Sequence, residues 1–201
     1  MKNVTAFFIV LLLCSLVTIS YAQKVIQVEA GDEAISTAYA GADPGDVLEL
    51  VTSGGVYHTA EKIEIDKTIT IRGAQGLAEK PIITTDSPDR PFELENNASF
   101  YLSNVVVTGL VDDGVEDAKD STKYAIRVRE NANDNHYKLI VDNVDFDHFY
   151  SLDDPPEGYI LRLDDDAPIA SEIRFTNCTF SRVGSYVIRA RAPIAPPAQF
   201  E

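Results

Sequence analysis

The chain has 201 residues, 45% of them hydrophobic, which suits one globular domain. Its formal net charge of −15 opposes long-range attraction of a polyanion to the molecule as a whole. No basic stripe is present either, and nucleic acid is excluded as a partner.

Residues 1–22 read as a secretory signal. Lys2 gives the positive start, Phe7 to Val17 the apolar centre, and Ser20-Tyr21-Ala22 a small-x-small cleavage site before Gln23. A lipoprotein reading centred on Cys14 is opposed by the bulky Leu13 before it. The apolar run is also shorter than the ~20 residues a bilayer needs, so no membrane span is expected after its removal. Losing Lys2 takes the charge from −15 to −16 and leaves Cys178 as the sole cysteine. A secreted monomer without disulfides is expected, with Cys178 a small inward hydrophobe.

Residues 23–45 predict a strand (Lys24 to Glu29) and a capping helix (Asp32 to Gly41), with Ile35, Ala38 and Tyr39 at helical spacing. A cap is needed wherever a solenoid would otherwise expose strand edges. Pro44-Gly45-Asp46 then turns into Val47 to Leu50, and Gly54-Gly55-Val56-Tyr57 turns again. Lys62 to Gly73 alternates as a bent pair of strands, and Glu79-Lys80-Pro81-Ile82-Ile83 begins the next. Phe92-Glu93-Leu94-Glu95 follows. Polar insertions lie between Val111 and Thr122, Glu130 and Asn135, and Tyr150 and Gly158. Residues 193–201 form a tail with Pro193, Pro196 and Pro197, which cannot donate to a strand ladder.

One pattern recurs three times between these insertions. Phe100 to Val107 is followed by Tyr124 to Arg129, Leu139 to Phe146 by Tyr159 to Asp164, and Ile173 to Phe180 by Tyr186 to Arg191. Repetition at a few tens of residues marks a stacked architecture. In the last copy Ile173 and Phe175 alternate with Arg174 and Thr176, and after Asn177 the inward set resumes one position out of step at Cys178 and Phe180. A slip of one residue reverses every side chain unless the chain bends. Asparagine suits such a bend because it tolerates left-handed angles. Asn104, Asn143 and Asn177 are thus expected to form a ladder, with Asn177 buried in it. Ile126 and Val128, Leu161 and Leu163, and Ile188 and Ala190 face inward in the last strand of each copy. Arg127, Arg162 and Arg189 then form one outward column, and Arg129, Asp164 and Arg191 a second.

The strand–Asn–strand bend, the variable loop and the third strand resemble the pectate-lyase-like right-handed parallel β-helix family over roughly Val47 to Arg191. The order Pro-Gly-Asp, strand, Gly-x-Tyr, strands, Lys-Pro-Ile is most similar to its alginate-lyase and chondroitinase-B-type polysaccharide lyases. The resemblance implies an all-β solenoid of about five coils over residues 46–192. That is short for such enzymes, as in a fragment of a longer protein.

In that family sugar chains lie along the outer face of the third strand. The resemblance therefore makes Arg127, Arg162 and Arg189, flanked by Arg129 and Arg191, candidates for gripping uronate carboxylates. Arginine can hold a carboxylate with two parallel bonds. A solvated face paired with its own acids is the other reading. Asp164, Asp165 and Asp166, with Asp153, Asp154 and Glu157, are candidate ligands for Ca²⁺, a cation the resemblance brings into view. Simple solvation of acidic loops is the alternative. His58, His136 and His148 occupy unmatched positions, and Lys123 is the lysine nearest the arginine strand. Tyr124, Tyr159 and Tyr186 could be sugar platforms or packing. The resemblance implies a secreted protein acting on polysaccharide by β-elimination at a uronate. A non-catalytic glycan-binding or surface-adhesive β-helix module is the alternative.

Overall fold

The computed structural model describes residues 23–110, 122–129, 136–150, 158–164, 167 and 170–190. Residues 1–22, expected above to be a signal, the polar insertions, Asp165, Asp166, Arg191 and the proline tail lie outside these. The elements in order are β1 Val25–Val28, α1 Ala34–Ala40, β2 Val47–Leu50, β3 Val56–Thr59, β4 Ile63–Ile65, β5 Ile69–Gly73, β6 Ile82–Thr85, β7 Phe92–Leu94 and β8 Phe100–Ser103. They continue with β9 Val106–Thr108, β10 Tyr124–Val128, β11 Tyr137–Asp142, β12 Asp145–Phe149, β13 Tyr159–Leu163, β14 Ala170–Thr176, β15 Thr179–Val183 and β16 Tyr186–Ala190.

Every third strand joins the same sheet, and every pairing is parallel. The first sheet runs β1-β2-β5-β8-β11-β14, the second β3-β6-β9-β12-β15 and the third β4-β7-β10-β13-β16. The fold is a right-handed parallel β-helix of five coils, β1 being an extra strand below the first. α1 packs on β1, β2 and β3, burying Ile35 and Tyr39 and ending at Gly41.

Inside the helix, like residues stack in register. Leu48, Ile71, Leu102 and Val141 form one column on the first sheet, and Tyr57, Ile83, Val107 and Phe146 one on the second. Ile63, Phe92, Ile126 and Leu161 form the third. All are buried. Each such side chain contributes roughly 1.5–3 kcal/mol when removed from water. The fifth coil departs from the expected inward burial: Phe180 is 38% exposed, Ile188 37% and Tyr186 65%, and Ala190 is also exposed. These positions continue the inner columns, but among the described residues no sixth coil covers them.

The corner between the first and second sheets is where the two-residue phase breaks. Asn104, Asn143 and Asn177 all adopt left-handed angles, with φ of 55°, 55° and 54°. Asn143 Nδ2 donates to Asn104 Oδ1 at 2.8 Å, as a ladder requires. Asn177 is not the third rung, and it is exposed: its Nδ2 donates instead to Asp142 Oδ1 at 2.9 Å. Being on the last described coil, Asn177 has water on its outer side and is free to lean onto the stronger, charged acceptor. Beneath Asn104 stands Gly73, where a Cβ would come 2.2 Å from the Asn104 carbonyl oxygen. Cys178 is half-buried against the core, and burial pushes its thiol up.

Candidate functional site: the outer wall of the third sheet

The third sheet carries one outward residue per coil in strict register: Glu64, Glu93, Arg127, Arg162 and Arg189. The alternation within β4, β7, β10 and β13 sends their neighbours into the core, and β16 continues the same alternation uncovered. Strand spacing sets the rungs roughly 4.8 Å apart. The three candidate arginines thus come together, and two glutamates extend their column below.

These arginines are engaged with the protein itself. Arg127 Nε donates to Asp164 Oδ2 at 2.8 Å, and Arg162 Nε donates to Asp164 Oδ1 at 3.0 Å. Asp164 therefore clamps two successive coils, with both oxygens occupied by guanidinium groups. Such a carboxylate is a poor cation ligand, and Asp165 and Asp166 lie outside the described residues. Arg129 is paired with Glu93 at 3.4 Å and Glu95 at 3.3 Å.

The centre of the wall is Glu93, the first rung below Arg127. Its side chain is 0% exposed. It bonds Lys62, pairs with Arg90, and has Arg129 and, at 3.8 Å, Arg127 beside it. Burial would raise the Glu93 carboxyl, but Lys62, Arg90 and Arg129 hold it below its ordinary range. Lys62 also meets Glu64 at 2.9 Å, and Arg90 meets Asp89 at 3.3 Å. Lys62, Arg90, Arg127, Arg129 and Arg162 thus face Glu64, Asp89, Glu93, Glu95 and Asp164, five charges against five. Arg189 stands above this network and adds a cation. Among the described residues this wall is thus close to charge-balanced, in a chain whose net charge is −15. Alternating sequence marked the column, but nothing in it marked the burial of Glu93, because Arg90 and Lys62 cover it from loop positions.

The tyrosines run alongside. Tyr124 and Tyr159 stack with centroids 5.5 Å apart, and Tyr159 and Tyr186 at 6.3 Å. Tyr124 is 3% and Tyr159 4% exposed, so these two rings are packing rather than open platforms, whereas Tyr186 is open. Each guanidinium lies over the tyrosine one coil below: Arg162 is 4.8 Å from the Tyr124 centroid and Arg189 5.0 Å from that of Tyr159. The guanidinium of Arg162 also bonds the Tyr124 hydroxyl. Burial works against the Arg162 charge, yet Tyr124 and Asp164 leave it raised. Lys123 is half-buried at the start of β10, and its backbone N–H donates to the Pro88 carbonyl at 3.1 Å.

The histidines do not converge. His58 sits on the second sheet with Nε2 2.9 Å from Asp86 and Nδ1 3.6 Å from Asp32, lining a cleft of about 440 Å³ with Thr84 and Val56. His148 is buried beside Asp147, at 3.0 Å, and His136 precedes β11. Among the described residues no helix is long and apolar enough to cross a membrane.

The fold, with its three stacked sheets, is that of a parallel β-helix. Among solved structures the chain is similar to the PL6 family alginate lyase AlyGC, at 23% identity and a TM-score of 0.64, covering 82% of this chain and 21% of that one. An arginine-to-alanine mutant of AlyGC matches at 24% identity and 0.62, over 84% and 22%. The chain therefore spans about a fifth of the length of these enzymes. No protein-family model matches it, and no curated protein does.

Proposed function

We propose that the chain is a secreted β-helical unit that handles acidic polysaccharide, with the outer wall of the third sheet as its contact surface and β-elimination at a uronate as the reaction class. The observation that carries this reading is the in-register column Arg127, Arg162 and Arg189, one guanidinium per coil. A uronate chain is also a linear array of carboxylates. A cation that neutralises the carboxylate acidifies the neighbouring C–H, which is what elimination requires of its binding site. The similarity in fold to alginate lyase structures, and the reading of residues 1–22 as a secretory signal, support this proposal.

A second reading is a non-catalytic glycan-binding module. It is favoured by one observation: Lys62, Arg90, Arg127, Arg129 and Arg162 are already paired with the protein's own carboxylates, and the lysine among them, Lys62, lies between Glu64 and Glu93. A base able to take a proton is better placed unpaired and near neutrality.

The test is incubation with alginate, pectate and chondroitin, following the ultraviolet absorbance of the unsaturated product and, separately, retention on each glycan. Product formation that falls at least tenfold in Arg127→Ala and Arg162→Ala supports the lyase. Retention without product, lost in the same variants, supports the binding module. Neither product nor retention removes both.

A further inference from the structure

Glu64, Glu93 and Glu95 bring one carboxylate oxygen each within 4.8 Å of one another. Three hard oxygen donors at that spacing are a donor set for a divalent cation. The space between them is already taken. Lys62 Nζ lies 2.9 Å from Glu64 Oε1 and bonds Glu93 Oε1, and Arg129 Nη1 reaches Glu93 Oε1 at 3.4 Å and Glu95 Oε1 at 3.3 Å.

The geometry points to Lys62 as a tethered cation: its ammonium is the resident occupant of an acidic seat on the third sheet, and it holds the place of a divalent metal. The carboxylates are fixed from different directions. Glu64 lies in β4, Glu93 in β7, and Glu95 directly after β7, so paired backbone, and not the lysine, sets where these residues stand. Glu93 is wholly buried and needs a counter-charge that water cannot supply. Lys62 shares that role with Arg90 and Arg129, and does so on a flexible stem rooted one residue before β4, with its own side chain 25% exposed. A Ca²⁺ ion entering the native protein would have to expel this ammonium and turn Arg129 aside. The seat accordingly binds no metal while Lys62 is present, and any anion held on the wall is held without one. This holds whether or not the wall binds glycan.

The experiment compares the native chain with Lys62→Met, which keeps the apolar stem and removes the charge. Thermal melting and calcium titration calorimetry are run in chelator and in CaCl₂. The native protein should show no Ca²⁺-dependent shift. Lys62→Met should melt lower in chelator, recover much of the loss with Ca²⁺, and lose that recovery when Glu64→Gln is added. Native protein that binds Ca²⁺ through these glutamates, shown by its loss in Glu64→Gln, overturns the proposal. So does a folded Lys62→Met that is indifferent to Ca²⁺. If Lys62→Met folds only with Ca²⁺, the proposal stands. If it folds under neither condition, Lys62→Ala is refolded with methylammonium as the free cation; recovery supports the assignment and its failure refutes it.

Discussion

Arg189 lies over the ring of Tyr159, 5.0 Å from guanidinium carbon to ring centroid, and its Nη1 donates to the Tyr159 hydroxyl at 2.6 Å. The same relationship joins Arg162 to Tyr124 one coil down. The fourth and fifth coils are therefore tied by a polar bond outside the core as well as by their backbone ladders. Tyr159→Phe keeps the ring stack and removes only the hydroxyl. It should lower stability by about 1 kcal/mol. Tyr159→Ala also loses the buried ring and should cost about 3–5 kcal/mol. The midpoint of urea unfolding checks both.

The asparagine corner makes a prediction about backbone. Asn143 holds φ at 55° while its side chain donates to Asn104. Asn143→Gly loses the amide bond and keeps the left-handed angle without strain. Asn143→Ala loses the bond and keeps a Cβ without the short polar side chain that eases the left-handed angle, leaving about 1–2 kcal/mol of strain that glycine avoids. Glycine should be the milder replacement by urea midpoint, reversing the usual order of the two.

The fifth coil is also pinned by Asp147, which accepts from Arg182 Nε at 2.8 Å and Ser181 Oγ at 2.6 Å. Burial would raise the Asp147 carboxyl, but these bonds and the neighbouring His148 hold it at about 2, below its ordinary 3.8. The folded value is depressed, so the stabilisation is complete above pH 3.8 and disappears as pH falls through about 2. Asp147→Asn should melt lower than the native chain near neutrality. The difference should shrink on acidification across that window, as thermal melts at several pH values would show.

Gly109 follows β9, where a Cβ would come 2.1 Å from the carbonyl oxygen of His148. Neither atom is the tip of a flexible side chain, so backbone must move. Gly109→Ala should cost about 2–4 kcal/mol by that displacement. The expected result is a melting temperature several degrees lower with an unchanged far-ultraviolet spectrum.

The sequence disclosed the coil because a phase slip beside an asparagine has one simple structural solution. Asn104, Asn143 and Asn177 marked that corner, and Arg127, Arg162 and Arg189 marked the outward column two strands later. Whether each rung has a neighbour above it was not legible. Asn177, Phe180 and Ile188 carry the same local pattern as their buried counterparts, and only their place in the last described coil exposes them. Nor was the Glu93 cluster legible: Lys62 and Arg90 reach it from outside the repeated pattern, so no periodicity announces them. Of the carboxylates singled out for metal, Asp164 proved to be a brace between Arg127 and Arg162. A spacing rule cannot tell a ligand from a brace.

The passage from Glu93 to Arg127 along the outward column gives the wall a direction. A thread of evenly spaced anions could shift by one rung along the arginines and find the same guanidinium each time, as on the marks of a ruler. Past Arg127 it would find no further guanidinium in the column, because the next rungs, Glu93 and Glu64, are carboxylates already closed off by Lys62, Arg90 and Arg129. On the proposed reading, the end of the arginine column at Arg127 sets the register of a ligand that the regular repeat alone would leave undefined.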